Sequence, residues 1–164
     1  MDVVYTINNY QEYIYEIRGN VLVVCRNPLI KKEILEKNKP EEEIINEEEL
    51  KKLKLQNSRI LSCVVKKNKQ IISSSRKRYK TTLIDIWETM PTQRILQSTT
   101  FNMKLGIYNE KGYRWSKKLN LSVQNKDSNG CMIELLNMIH VNNLYINLKI
   151  KLKTNKVVKF VYKG

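Results

Sequence analysis

Arg76, Lys77, Arg78 and Lys80 bring four cations into five residues around Tyr79, directly after Ser73, Ser74 and Ser75. The chemistry on offer is phosphate binding. Guanidinium forks and ammonium groups pair with phosphate oxygens, a serine hydroxyl can add a donor, and a tyrosine ring can stack on a base or pack beneath the backbone. A solvated loop whose like charges oppose aggregation would have the same composition. Lys104, Lys149 and Lys151 form a second set, each at a polar position of an alternating segment, where the wet face of a sheet could follow a nucleic-acid strand. Only Tyr145 adds an aromatic ring to those outer positions, so base-stacking platforms are lacking. Tyr113 and Trp115, which bracket Arg114, are expected to anchor the edge of the core. The expected nucleic-acid contacts are therefore Arg76, Lys77, Arg78, Tyr79, Lys80, Lys104, Lys149 and Lys151. Lys outnumbers Arg 23 to 7, which favours phosphate contacts over forked contacts to base edges.

Catalytic chemistry has less to build on. Gln124-Asn125-Lys126 on an expected strand, with Glu110 fourteen residues before Gln124, resembles the Q-x-K variant of the PD-D/E-x-K nuclease core. That resemblance covers about thirty residues and implies Mg²⁺ held by an acid and the strand's own acceptor, with the lysine polarising water. The aspartate that the family pattern expects is missing, and Glu110 falls in an expected turn. His140, the single histidine, closes an expected helix, where a cation complements the carbonyl end. No second histidine, G-x-S-x-G elbow or glycine-rich phosphate loop accompanies it, so nucleophilic and nucleotide-hydrolysing mechanisms lack their parts. Cys25, Cys63 and Cys131 are widely spaced and sit in apolar stretches. With no C-x-x-C pair they read as buried reduced thiols, which points to an intracellular protein without a metal or other cofactor.

The charge is divided along the chain. Residues 1–50 hold six Lys/Arg against eleven Asp/Glu, and residues 51–164 hold 24 against five, for a net charge of +14. Such a concentration of positive charge repels itself and is usually matched to a polyanion or an acidic protein surface. Codon bias contributes, because alanine is absent and Lys and Asn abound, as in an AT-rich genome such as that of a virus or an organelle. Bias alone would add Glu as readily as Lys, yet eight of the thirteen Glu lie between Glu33 and Glu49. The expected function is a non-enzymatic, intracellular nucleic-acid-binding subunit or accessory factor. The alternatives are a viral or organellar component that docks acidic proteins and, behind it, the metal-dependent nuclease. No membrane partner is expected, since no leader-like start or long apolar run is present.

The elements that must position these residues are those of an α+β protein, mainly antiparallel sheet with a few short helices. Residues 1–27 read as a β-meander, 28–56 as a charged helical arm, and 57–164 as a basic α+β core. Val3–Ile7, Glu12–Ile17 and Val21–Cys25 are expected strands, with a tight turn at Gly19-Asn20. Helices are expected over Leu29–Lys37 and Glu41–Leu55, the second a mostly solvated arm with Glu at its start and Lys at its end. Its six Glu between 41 and 49 could compete with phosphate for the basic body. In the core, Arg59–Val65 and Gln70–Ser74 are expected strands, and Thr82 with Asp85 reads as a capping box for a helix ending before Pro91. A further helical turn is expected at Ile95 and Leu96. Thr100–Tyr108 alternates as a strand with Phe101, Met103, Leu105 and Ile107 on one side, and Lys118–Lys126 alternates likewise. Asp127 starts a helix that buries Met132, Leu135, Leu136 and Ile139, and Leu144–Leu152 with Val157–Tyr162 closes a hairpin. One sheet covered by the helix would then show Lys104, Asn120, Ser122, Gln124, Asn147, Lys149 and Lys151 on its wet face.

Overall fold

The computed structural model describes Val3–Tyr5, Tyr13–Arg18 and Val21–Arg26, and then residues 41–76 and 78–164. Two compact units divide the chain, residues 1–40 and 41–164. The architecture is α+β, with mostly antiparallel sheets and short helices. The N-terminal unit contains the antiparallel sheet β1 (Val3–Tyr5), β2 (Tyr13–Arg18) and β3 (Val21–Arg26), with Val3 opposite Ile17 and Ile14 opposite Cys25. The expected turn at Gly19-Asn20 and the helix expected over Leu29–Lys37 lie outside the described residues.

The larger unit is built on a five-stranded sheet ordered β4-β11-β10-β5-β6. Its strands are β4 (Glu42–Ile44), β5 (Arg59–Lys67), β6 (Gln70–Ser74), β10 (Tyr145–Lys151) and β11 (Val157–Tyr162). Asn68 and Lys69 both adopt positive φ and make the tight turn between β5 and β6, the geometry that suits the twist of a two-residue hairpin. Period-two burial runs through β10, where Ile146, Leu148 and Ile150 are buried and the residues between them half-buried. Against the inner side pack α2 (Tyr79–Glu88) and α4 (Ser128–Val141), which also touch each other. Thr82, Leu83, Ile86 and Trp87 form the buried stripe of α2, and Cys131, Met132, Leu135, Leu136, Met138 and Ile139 that of α4. A short α3 (Thr92–Ser98) follows Pro91, as the sequence indicates.

Four expectations are revised. The single helix over Glu41–Leu55 is instead β4 followed by α1 (Glu47–Lys52), with Asn46 and Glu49 forming a capping box. It is no solvated arm, because Ile45, Leu50 and Leu55 enter the core and Asn129 ties the chain down by accepting from Leu55 N–H and donating to the Leu53 carbonyl. The capping box at Thr82 and Asp85 does not form, since burial of Tyr79 starts α2 three residues earlier. Thr82 is buried within the helix and Asp85 accepts from the Ser73 hydroxyl at 2.7 Å.

The long strand expected over Thr100–Tyr108 shrinks to β7 (Met103–Leu105). Gly106, at φ +88°, turns the chain out of the ladder, and the Ser122 hydroxyl holds that turn by donating to the Gly106 carbonyl and accepting from Tyr108 N–H. Leu105 and Ile107 are left 67% and 69% exposed rather than buried. Finally, the wet face is split between two sheets. β7 pairs with β9 (Leu121–Gln124) and β9 with β8 (Tyr113–Ser116) in a separate three-stranded sheet, so Lys104 and Gln124 stand on a different sheet from Asn147, Lys149 and Lys151. Ser122 is buried.

A buried carboxylate joins this second sheet to α4. Glu134 accepts from the Thr99 hydroxyl at 2.6 Å, from the N–H and hydroxyl of Thr100 at 2.9 and 2.5 Å, and from the Asn137 amide at 3.4 Å. That set of donors balances the cost of burying a polar side chain. It also fixes the strand entry so that Phe101 meets the Trp87 ring edge-on, with centroids 5.4 Å apart.

Candidate nucleic-acid interface

The basic cluster is divided by the start of α2. Arg76 and Arg78 are exposed, and Lys77 lies outside the described residues. Tyr79 turns inward to 6% exposure, and its hydroxyl meets that of Ser58 at 2.9 Å, while burial pushes the phenol above its ordinary pKa. Buried to this degree, its ring is not an exposed platform for base stacking, although it forms part of a cavity wall. Lys80, one residue into the helix, is half-buried and donates to the Asn125 side-chain carbonyl at 2.5 Å. Burial, with Arg114 nearby, lowers its pKa.

Arg78 and Lys80 line a cavity of about 450 Å³ between the first turn of α2 and the turn that leads into α4. Asn125, Lys126 and Ser128 form the α4 side, and the buried Ile60, Tyr79 and Cys131 also line it. Lys126 crosses Gly130 so closely that a Cβ there would stand 3.1 Å from its stem. Its ammonium donates to the Thr100 carbonyl at 2.7 Å and sits 4.7 Å from the centre of the Phe101 ring. Both helices therefore direct their positive ends to the same space, and neither has an acidic residue in its first turn. Asp127, the N-cap of α4, is turned to Gly130 N–H at 2.7 Å. Among the described residues, Arg78, Lys80, Arg114 and Lys126 have no ion-pair partner.

A larger cavity, about 540 Å³, lies by the other end of α4 and is lined by Lys66, Lys69, Asn143, Tyr145 and Lys163 among others. The carbonyl end of the helix faces that region, so the helix field there opposes an anion.

The remaining site residues are distributed elsewhere. Lys104 is on the face of the small sheet that carries Tyr113, its ammonium 4.8 Å from the Tyr108 ring centre and 4.7 Å from that of Tyr113. The two tyrosines holding this cation both follow the Gly106 turn and stand on either side of Gly112, and spacing alone offered no signal for them. Lys149 forms an ion pair with Glu42, which also lies 3.7 Å from Lys159, and Glu43 pairs with Lys156. Lys151 is half-buried on β10 and has no ion-pair partner among the described residues. The Glu-rich stretch thus spends part of its charge on cations of the same unit.

The nuclease-like residues are engaged in structural bonds. Gln124 accepts from Asn102 at 2.7 Å and donates to the Lys111 carbonyl, and Lys126 is held by Thr100. Among the described residues no three His, Cys, Asp or Glu side chains gather in a form that could hold a metal ion. His140 contacts Glu47 at 2.7 Å and stacks edge-on against Tyr162 at the end of α4. No helix among the described residues is long and apolar enough to cross a membrane. No family model matches the chain, and no curated protein or solved structure matches it either.

Proposed function

We propose that this protein binds nucleic acid through its phosphates, with Arg78, Lys80 and Lys126, which line the cavity, as the principal contact, supported by Arg114 near Lys80 and by the exposed Arg76 two residues before Arg78. The observation that carries this reading is the concentration of cations without carboxylate partners around one cavity, in a unit that holds 24 Lys/Arg against 11 Asp/Glu. Lys104 is a secondary contact, since its two tyrosine rings hold it outward on a surface where Tyr108 is itself partly exposed. Lys149 contributes less while Glu42 neutralises it.

Contacts of this kind position a duplex or strand without reading its sequence. The test is binding of the full chain to two duplexes of equal length and unrelated sequence. Affinities within about threefold of each other, weakening together as salt rises, are expected. Strong preference for one sequence, or no binding at about 50 mM salt, would overturn the reading. Cleavage that requires Mg²⁺ in the same mixtures would shift the case toward the nuclease. The exposed run Leu105, Ile107 and Tyr108 favours a second reading, in which this edge docks a protein partner within a larger assembly.

A further inference from the structure

The cavity between α2 and α4 has features that a groove for passing backbone does not need. Ile60, Tyr79 and Cys131, all nearly inaccessible to solvent, line it beneath the cations, so it has depth as well as charge. A backbone diester carries one negative charge and must leave in two directions. A phosphate monoester carries nearly two charges at neutral pH and needs a single exit. At about 450 Å³ the cavity also exceeds what a bare phosphate fills, at roughly 30 Å³ for each water-sized group, and lies within the size range of small-ligand sites.

The donors suit such a group. Arg78 provides a planar fork, Lys80 retains ammonium protons beyond the one given to Asn125, and the Ser128 hydroxyl stands at the first position of α4. The N-terminus of α2, which has no side-chain cap, adds its field to these side chains, whereas that of α4 is already capped by Asp127. Burial first, and Arg114 to a lesser extent, disfavour the charge of Lys80, and a bound dianion would offset both.

We propose that this pocket receives the phosphate monoester of a nucleotide, with the attached sugar occupying the outer part of the cavity. This deepens the nucleic-acid reading, and the source of the monoester is either the end of a strand or a free mononucleotide. Oligonucleotides identical except for a terminal phosphate or hydroxyl, presented at the 5′ and at the 3′ end in turn, distinguish the possibilities when titrated into the full chain. One end with phosphate should bind about tenfold tighter than its hydroxyl counterpart. Arg78→Gln with Lys80→Gln should abolish that difference. Ser128→Asp should do the same by placing a carboxylate in the pocket, at a helix position where an acid is favourable, so it also answers if the double variant fails to fold.

Equal affinity for both kinds of end with salt-sensitive binding retained would overturn the pocket assignment while leaving nucleic-acid binding intact. Saturable binding of adenosine monophosphate or inorganic phosphate, lost in Ser128→Asp, without binding of any oligonucleotide would support the pocket with a free nucleotide as source and overturn the strand reading. No binding of any of these probes would overturn both.

Discussion

Glu134 is the residue whose environment is most demanding. Four donors converge on its buried carboxylate, and replacing it with leucine would leave Thr99 and Thr100 without their acceptor, while Asn137 keeps its 2.8 Å bond to the Ser98 carbonyl. A stability loss of about 3 kcal/mol is expected in urea unfolding, because stranded buried donors cost more than the net worth of a made bond. A loss below about 1 kcal/mol would show that the bonds are readily replaced. Cys63 behaves differently. Burial pushes its thiol up to about 11, so roughly one molecule in a thousand carries the thiolate at pH 8. Alkylation of Cys63 at that pH should be slow in the native protein and fast in denaturant, and comparable rates would contradict its burial. At this scale the sequence was informative about type and weak about partners. It marked Cys63 and Cys131 as buried thiols from their apolar neighbours, but a lone Glu134 among apolar residues gave no sign of the threonines, 34 and 35 residues earlier, that it holds.

Elements were legible where one local pattern had one tertiary solution. The β10–β11 hairpin and α4 follow their periodicity and capping closely, because each has a single apolar face and one core to bury it. β7 failed for a local reason, Gly106, whose positive φ ends an alternation that the side chains alone would have continued. The Glu41–Leu55 stretch failed for a tertiary one. Its apolar residues make no helical stripe, and the structure satisfies them with two short elements docked by Asn129. Leu50→Ala should accordingly cost about 2–5 kcal/mol, as for a core residue, whereas a solvated arm would tolerate it with almost no change in melting temperature. The same element carries a pH signature. Glu47 is held below its ordinary value of 4.5, chiefly by its bond to Lys51 and then by His140, against the opposing effect of burial. A depressed carboxylate adds stability above its unfolded pKa and loses it as pH falls through the lower folded value. Glu47→Gln should therefore carry its full cost well above pH 4.5 and a progressively smaller one as pH falls below that value, and a penalty that stays constant with pH would rule out the ionic contribution.

For the whole molecule, charge distribution was the feature most readable from sequence, and its geometry the least. Composition located the excess of Lys and Arg after residue 50 but could not separate cations answered by Glu42, Glu43 and Glu47 from those left without carboxylates. Nor could it bring Lys126, from the turn between β9 and α4, to the same cavity as Arg78 and Lys80, since that depends on α2 and α4 starting side by side. The central claim is that the cations around this cavity do the electrostatic work of binding. Counterion release makes it measurable, as log affinity falls with log salt in proportion to the phosphates neutralised. For the full chain on duplex DNA, about five phosphates give a slope near −4.5. Arg78→Gln with Lys80→Gln should reduce its magnitude by about 1.8, roughly 0.9 for each lost contact, with little change in melting temperature. A flat slope in the wild type, or an unchanged slope in the variant, would contradict the account.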